Sequence, residues 1–83
     1  MLQKFLRRED VEAASGFSCS ALYRKMDEGE FVKPIRLSER AVAWPESDVI
    51  AWQKAKLAGA SDSDIKALVA KLHAERSSMM EAA

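Results

Sequence analysis

The sequence predicts a single, mainly α-helical domain carrying one small β-hairpin. Three observations carry this expectation. Glycines at 16, 29 and 59 stop short apolar-periodic segments, as residues that accept the left-handed backbone of a helix C-terminus do. A period-2 apolar pattern lies on either side of Ser38-Glu39-Arg40, which is the mark of paired strands. Ile65, Leu68, Val69 and Leu72 recur at i, i+3, i+4 and i+7, one stripe of a helix.

The elements follow in order. A first helix is expected from Arg7 or Arg8 to Ala14, with Glu9 and Asp10 in the first turn, where acids complement the helix dipole. Val11 and Ala14 share a face, and Gly16 ends the helix. Ser18 suits the N-cap of a second helix, Cys19 to about Glu28, stopped by Gly29. Two helices separated by three or four residues with a glycine between them form a helix-turn-helix pattern.

Pro34 marks the start of the hairpin, with Ile35 and Leu37 on one strand and Val42 and Trp44 on the other. Pro45 fits the first position of a third helix, whose apolar residues are Val49, Ile50, Trp52 and Leu57. Ser61 and Asp64 have the spacing of a capping box. A last helix is expected from Asp62 to about Ser77, with the final residues frayed. Helix, turn, helix, hairpin, helix is a winged helix-turn-helix order. The reading divides the chain into residues 1–58, the winged unit, and 59–83, an amphipathic helix and tail.

Length and composition narrow the function. The chain has 83 residues, 48% of them hydrophobic and 31% charged, enough for one thin core. Net charge is +0, and residues 1–40 hold eight Lys/Arg against seven Asp/Glu. A uniformly basic coat is therefore excluded, and contact with a polyanion must be local. Cys19 is the one cysteine and His73 the one histidine. This leaves no intrachain disulfide and no cysteine-based zinc cluster. Neither pairing for nucleophilic catalysis nor a phosphate-cradling glycine loop is present. The expectation is a non-enzyme with no cofactor and no metal. There is no apolar run long enough for a membrane span and no signal-peptide pattern at "MLQKFLRRED", so a reducing cytoplasm is expected.

The segment "SGFSCSALYRKM" is the candidate site. On a wheel, Leu22, Met26, Cys19 and Tyr23 fall on one side, expected to pack inward. Ser20, Ala21, Arg24 and Asp27 fall on the other. In a helix-turn-helix the second helix enters the DNA major groove by its N-terminal end. Small residues there permit close approach, and the exposed N–H groups face phosphates. Arg24 is the candidate for a bidentate guanine contact. Tyr23 is placed to meet a phosphate or sugar, and Lys25 the backbone at most. Arg36 and Arg40 lie on the hairpin and its turn, where a wing reaches flanking DNA. Arg7 and Arg8 open the first helix and offer further phosphate contacts.

Residues 5–52 resemble the AlpA-type phage regulators, which belong with excisionase-like and MerR-like winged helix-turn-helix domains. The marks include Phe5-Leu6-Arg7, Gly16-Phe17-Ser18, Leu22-Tyr23-Arg24, Lys33-Pro34, Arg36-Leu37, Arg40-Ala41-Val42, Trp44 and Ala51-Trp52. The resemblance implies a DNA-binding protein of a prophage or other mobile element. Such proteins activate integrase or excision genes, or bend attachment-site DNA as recombination directionality factors. It places Ser18, Ser20, Tyr23 and Arg24 in the recognition helix and Arg36 and Arg40 in the wing. Two departures stand out. Cys19 is commonly Arg in the family and Ala21 commonly Thr, which removes polar readers and shifts weight to DNA shape.

Cys19, at a helix start where thiol pKa values tend to fall, has a redox-sensor reading and a packing reading, and packing is the expectation. The stripe of Ile65, Leu68, Val69 and Leu72 has two readings as well. It folds back on the chain's own core, or it packs against another copy in a row along DNA. A module that docks on a recombinase, integrase or polymerase, without DNA contact, is the alternative function, motivated by the zero net charge.

Overall fold

The computed structural model describes residue 2 and residues 4–82, with side chains described as far as residue 78. The elements are β1 (Phe5–Leu6), α1 (Arg8–Ser15), α2 (Cys19–Asp27), β2 (Ile35–Ser38), β3 (Ala41–Pro45), α3 (Glu46–Leu57) and α4 (Asp62–Ala82). Four helices surround a three-stranded antiparallel sheet in the order β1-β3-β2. The fold is the expected winged helix-turn-helix type, with one strand more than the hairpin.

That extra strand is β1. Phe5 pairs with Pro45 and Leu6 with Trp44, and the Glu46 N–H donates to the Lys4 carbonyl at 2.8 Å. A two-residue strand carries no alternation to read, so only the pairing reveals it.

The helix ends follow the local chemistry. Gly16 sits at φ 78°, and its N–H donates to the Glu12 carbonyl at 2.9 Å, closing α1. A left-handed residue is required there for the chain to reverse within three residues into α2. The Ser18 hydroxyl accepts from the Ala21 N–H at 3.3 Å and caps α2. Ser61 and Asp64 form the expected reciprocal box, at 3.3 and 3.1 Å. Pro45 is the N-cap of α3, at the end of β3, one residue before its expected place. α4 runs to Ala82, five residues past its expected end at Ser77. Residues 77–82 contain no glycine or proline to stop it.

The hairpin contains a bulge. Arg36 pairs with Val42 but Ser38 pairs with Ala41, so Leu37 is the extra residue. No non-glycine residue among those described has positive φ. The Glu39-Arg40 turn therefore avoids the primed geometry of tight hairpins, and the bulge supplies the twist. Strict alternation consequently fails here: Leu37 is exposed where the pattern placed it with Ile35.

The core joins every helix. Val11, Leu22, Phe31, Val32, Trp44, Val49, Trp52, Ile65 and Val69 are buried in one cluster with Met26. Phe17, Phe31 and Trp52 meet edge-to-face, with centroids 5.0–6.3 Å apart, the geometry aromatic quadrupoles prefer. The buried indoles find acceptors: Trp44 Nε1 donates to the Val32 carbonyl and Trp52 Nε1 to the Glu30 carbonyl, both at 3.0 Å. These two bonds tie the irregular segment before β2 to the sheet and to α3. Ile50 and Leu57, expected on the apolar side of α3, are exposed instead.

The α4 stripe folds back on the chain's own core. Ile65 and Val69 are buried, and Leu72 packs against the same cluster. Of the two readings of the stripe, folding back on the core is the one seen: Ile65 and Val69 are not available to a second copy, and Leu68 and Leu72 are half-buried. Asp48, at the start of α3, is nearly buried and accepts from Arg76 Nε and Nη2 at 2.9 and 2.6 Å. His73 Nε2 accepts the Lys33 N–H at 3.1 Å. α4 is thus latched to α3 at one point and to the base of the hairpin at another.

Candidate nucleic-acid interface

α2 presents its two faces largely as the wheel predicts. Leu22 and Met26 are buried, and Cys19, Ala21 and Lys25 are half-buried. Ser18, Ser20, Arg24 and Asp27 are exposed. Tyr23 departs from the wheel: it is 44% exposed and stands at the edge, not in the core. Burial of two side chains one turn apart is enough to dock a nine-residue helix on α1 and leave its outer face open.

The cations divide into those the fold uses and those it leaves open. Lys4 pairs with Glu46 at 3.8 Å and Arg8 with Glu12 at 3.2 Å, one helical turn apart. Lys25 donates to Glu30 at 2.9 Å and lies 3.9 Å from Glu28. That hydrogen bond raises the Lys25 pKa and lowers that of Glu30. Arg76 is held by Asp48. Arg24 and Arg40, by contrast, have no ion pair or side-chain hydrogen bond among the described residues, and both are exposed. Arg36 spans the wing turn, with Nη2 donating to the Glu39 carbonyl at 3.4 Å, which leaves most of its fork free. Arg7 is exposed at the N-cap of α1, where its N–H donates to the Asp10 carboxylate at 3.4 Å.

Apart from the ion-paired Arg8, the exposed predicted residues lie in three places: Ser20, Tyr23 and Arg24 on α2 with Ser18 as its N-cap, Arg36 on β2 with Arg40 in the turn that follows, and Arg7 at the N-cap of α1. Arg8 and Lys25 are engaged within the chain, a distinction that a list of basic residues cannot make. Lys25 in particular is committed to two carboxylates, one of them five residues away. Its half-burial removes it from the open face. Cys19 is a free, half-buried thiol in the first turn of α2.

Among the described residues no cluster of His, Cys, Asp and Glu has the makings of a metal site. No described helix is long and apolar enough to cross a membrane.

Residues 4–57 match the family model described as "Prophage CP4-57 regulatory protein (AlpA)". The chain belongs to the AlpA family. The AlpA match covers both helices of the helix-turn-helix, the sheet and α3, and ends at the last residue of α3. The chain is also 37% identical over 57 residues to the uncharacterized protein ORF88 of Enterobacteria phage P4. That alignment covers 69% of this chain and 65% of ORF88, so the chain spans about two thirds of that relative. No solved structure matches significantly. The AlpA family is one of phage regulatory proteins, and this chain is a member whose α4 lies beyond the part that the family model describes.

Proposed function

We propose that this AlpA-family protein is a double-stranded-DNA-binding regulator of a prophage or integrative mobile element. α2 enters the major groove, and the β2–β3 wing lies along the flanking backbone. The output is either transcription of integrase or excision genes, or attachment-site bending as an excisionase. One observation carries the reading. Arg24, with no ion pair among the described residues, stands exposed on the outer face of a capped helix whose first turn carries only small side chains.

In this reading Arg24 makes the base contact, worth about 1–3 kcal/mol of discrimination. Ser18 and Ser20 allow close approach, with Tyr23 on the sugar-phosphate edge. Arg36, Arg40 and Arg7 meet phosphates. Half-buried Cys19 and Ala21 form the apolar shoulder of the recognition surface. The zero net charge makes the non-specific term small, so specificity rests on these few contacts and on DNA deformability.

The test is binding to duplexes tiled across the attachment site and the neighbouring integrase or excision promoter. Wild type and Arg24→Ala are compared at two salt concentrations. Log K should fall by about 0.9 per phosphate contact for each decade of salt. Arg24→Ala should lose sequence preference and keep the fold. A single promoter complex means a transcriptional regulator, and attachment-site complexes mean an excision factor. Absence of any salt-sensitive complex would favour the alternative, a module that docks on a recombinase.

A further inference from the structure

Of the residues of α2, Leu22 and Met26 are the ones buried in the core. They lie one turn apart on a single line along the helix, and apolar contact has no direction of its own. A helix seated on such a line is free to roll about it, and a roll would move Arg24. What sets the roll must therefore lie at the two ends of α2. The entering end is not closely packed. A hollow of about 480 Å³ opens behind the α1–α2 turn, and Phe17, Trp52, Gln53 and Leu57 are among the residues that line it. Directional contacts hold the chain there. Gln53 Nε2 donates to the Ala14 carbonyl at 2.8 Å, one of the four carbonyls that the end of α1 leaves without a helical partner. The Ser15 hydroxyl accepts from the Phe17 N–H at 3.2 Å, and the Phe17 ring meets Trp52 edge-to-face at 5.6 Å.

The leaving end is tied to α3 through one residue, Glu30. Its N–H donates to the Lys25 carbonyl at 2.9 Å. Its carboxylate accepts from Lys25 Nζ at 2.9 Å, and its carbonyl accepts from Trp52 Nε1 at 3.0 Å. Two successive residues of α3, Trp52 and Gln53, thus grip the chain on either side of the recognition helix. We propose that Gln53 and Glu30 are positioning residues for α2. Gln53 acts through the Ala14 carbonyl ahead of the helix and Glu30 through Lys25 and Trp52 behind it, so that α3 sets the angle at which Arg24 faces a duplex. This rests on the DNA-binding reading of α2. It also gives Lys25 a task, which is to orient the helix instead of meeting phosphate.

The first test uses the full chain without DNA. Residual dipolar couplings of the backbone amides report the orientation of α2 relative to α3. Gln53→Met keeps the side-chain length and removes the donor, and Glu30→Ala removes the carboxylate. Each should turn α2 by about 10° or more, the tolerance of a preorganised contact, with far-UV circular dichroism unchanged. The second test is binding to the tiled duplexes against a shuffled duplex. Each variant should lower the ratio of specific to non-specific affinity at least about fivefold, the lower end of what one bidentate base contact discriminates. The salt slope should stay as in wild type. Charge alone predicts the opposite for Glu30→Ala, because loss of an anion tightens binding to any duplex. Glu30→Gln loses the same charge, keeps an acceptor for Lys25, and should match wild type in its affinity ratio. An α2 orientation unchanged in both variants would overturn the proposal. So would an unchanged affinity ratio where wild type shows sequence preference, or a Glu30→Gln variant as impaired as Glu30→Ala. A wild type with no sequence-preferring complex would sink the DNA-binding reading instead, and the couplings would still decide whether Gln53 and Glu30 fix α2.

Discussion

Replacing Ile65 by alanine tests whether α4 is part of the domain or an appendage. Ile65 is 2% exposed and belongs to the cluster that contains Trp44 and Trp52. The substitution removes three carbons, at about 0.8 kcal/mol each, or about 2.4 kcal/mol of transfer free energy. A cavity term adds to this when the site cannot collapse. Ile65 also borders the open hollow beside Leu57, so water enters part of the vacated space and the added term is modest. The expected loss is about 3 kcal/mol, within the range for Ile→Ala in cores. For a domain of this size that lowers Tm by about 12–24 °C. Urea and thermal unfolding followed by far-UV circular dichroism measure it, with Lys71→Ala, on the exposed side of the same helix, as the control. A loss below about 1 kcal/mol would refute the claim that α4 completes the core. With the expected loss, a fragment of residues 1–58 should not hold the native fold by itself, since it lacks both Ile65 and Val69.

Other consequences follow from individual contacts. Trp44→Phe should cost about 2–4 kcal/mol in urea unfolding, because the Val32 carbonyl loses its donor at a fully buried site and a void remains. Gly16→Ala should cost about 1 kcal/mol, since an alanine is strained at φ 78° even though nothing lies within 4 Å of an added Cβ. His73 should make stability pH-dependent. Burial first, then the Arg76 and Lys33 charges, hold its pKa below 6.5, with Asp48 opposing. The unfolded chain thus takes up a proton that the folded one refuses, so stability is full above the ordinary histidine value and falls as pH drops below it. Protonation also removes the acceptor for the Lys33 N–H. A flat stability profile between pH 7.5 and 5.5, or one unchanged in His73→Gln, would contradict this.

Much of the fold was legible because its signals are local. Gly16, Ser18, Gly29 and the Ser61–Asp64 box act on the backbone within a few residues of themselves, and each appears where the pattern put it. The buried pair Leu22 and Met26 followed from helical spacing. Other features were not legible, since they depend on residues far apart in the chain. β1 exists only because β3 offers it a partner. Leu37 left its expected face because a bulge changed the register, and alternation cannot announce its own interruption. Tyr23, Ile50 and Leu57 carry apolar surface that spacing alone assigned inward.

The candidate site shows the same division. Arg24, Arg36 and Arg40 are exposed on the second helix, the hairpin and its turn, where their positions in the sequence put them. Lys25 and Arg8 have the same composition signal, yet each is tied to a carboxylate in space. The pairing of Asp48 with Arg76 spans 28 residues and gives α4 a latch that no periodicity predicts. His73, a surface residue by default, proved to be an acceptor for a backbone N–H forty positions away.

The sequence by itself determined where helices start and stop, that a hairpin follows the helix-turn-helix, and which helix offers a small-residue end with an arginine behind it. Backbone conformation, capping and amphipathic spacing are short-range effects, and the local order of residues encodes them. Only the tertiary structure decided which cations remain open, that the last helix completes the core, and that Leu57 stands beside a hollow. Those outcomes depend on which surfaces meet and which charges come within a few ångströms, and that is a property of the whole packed chain.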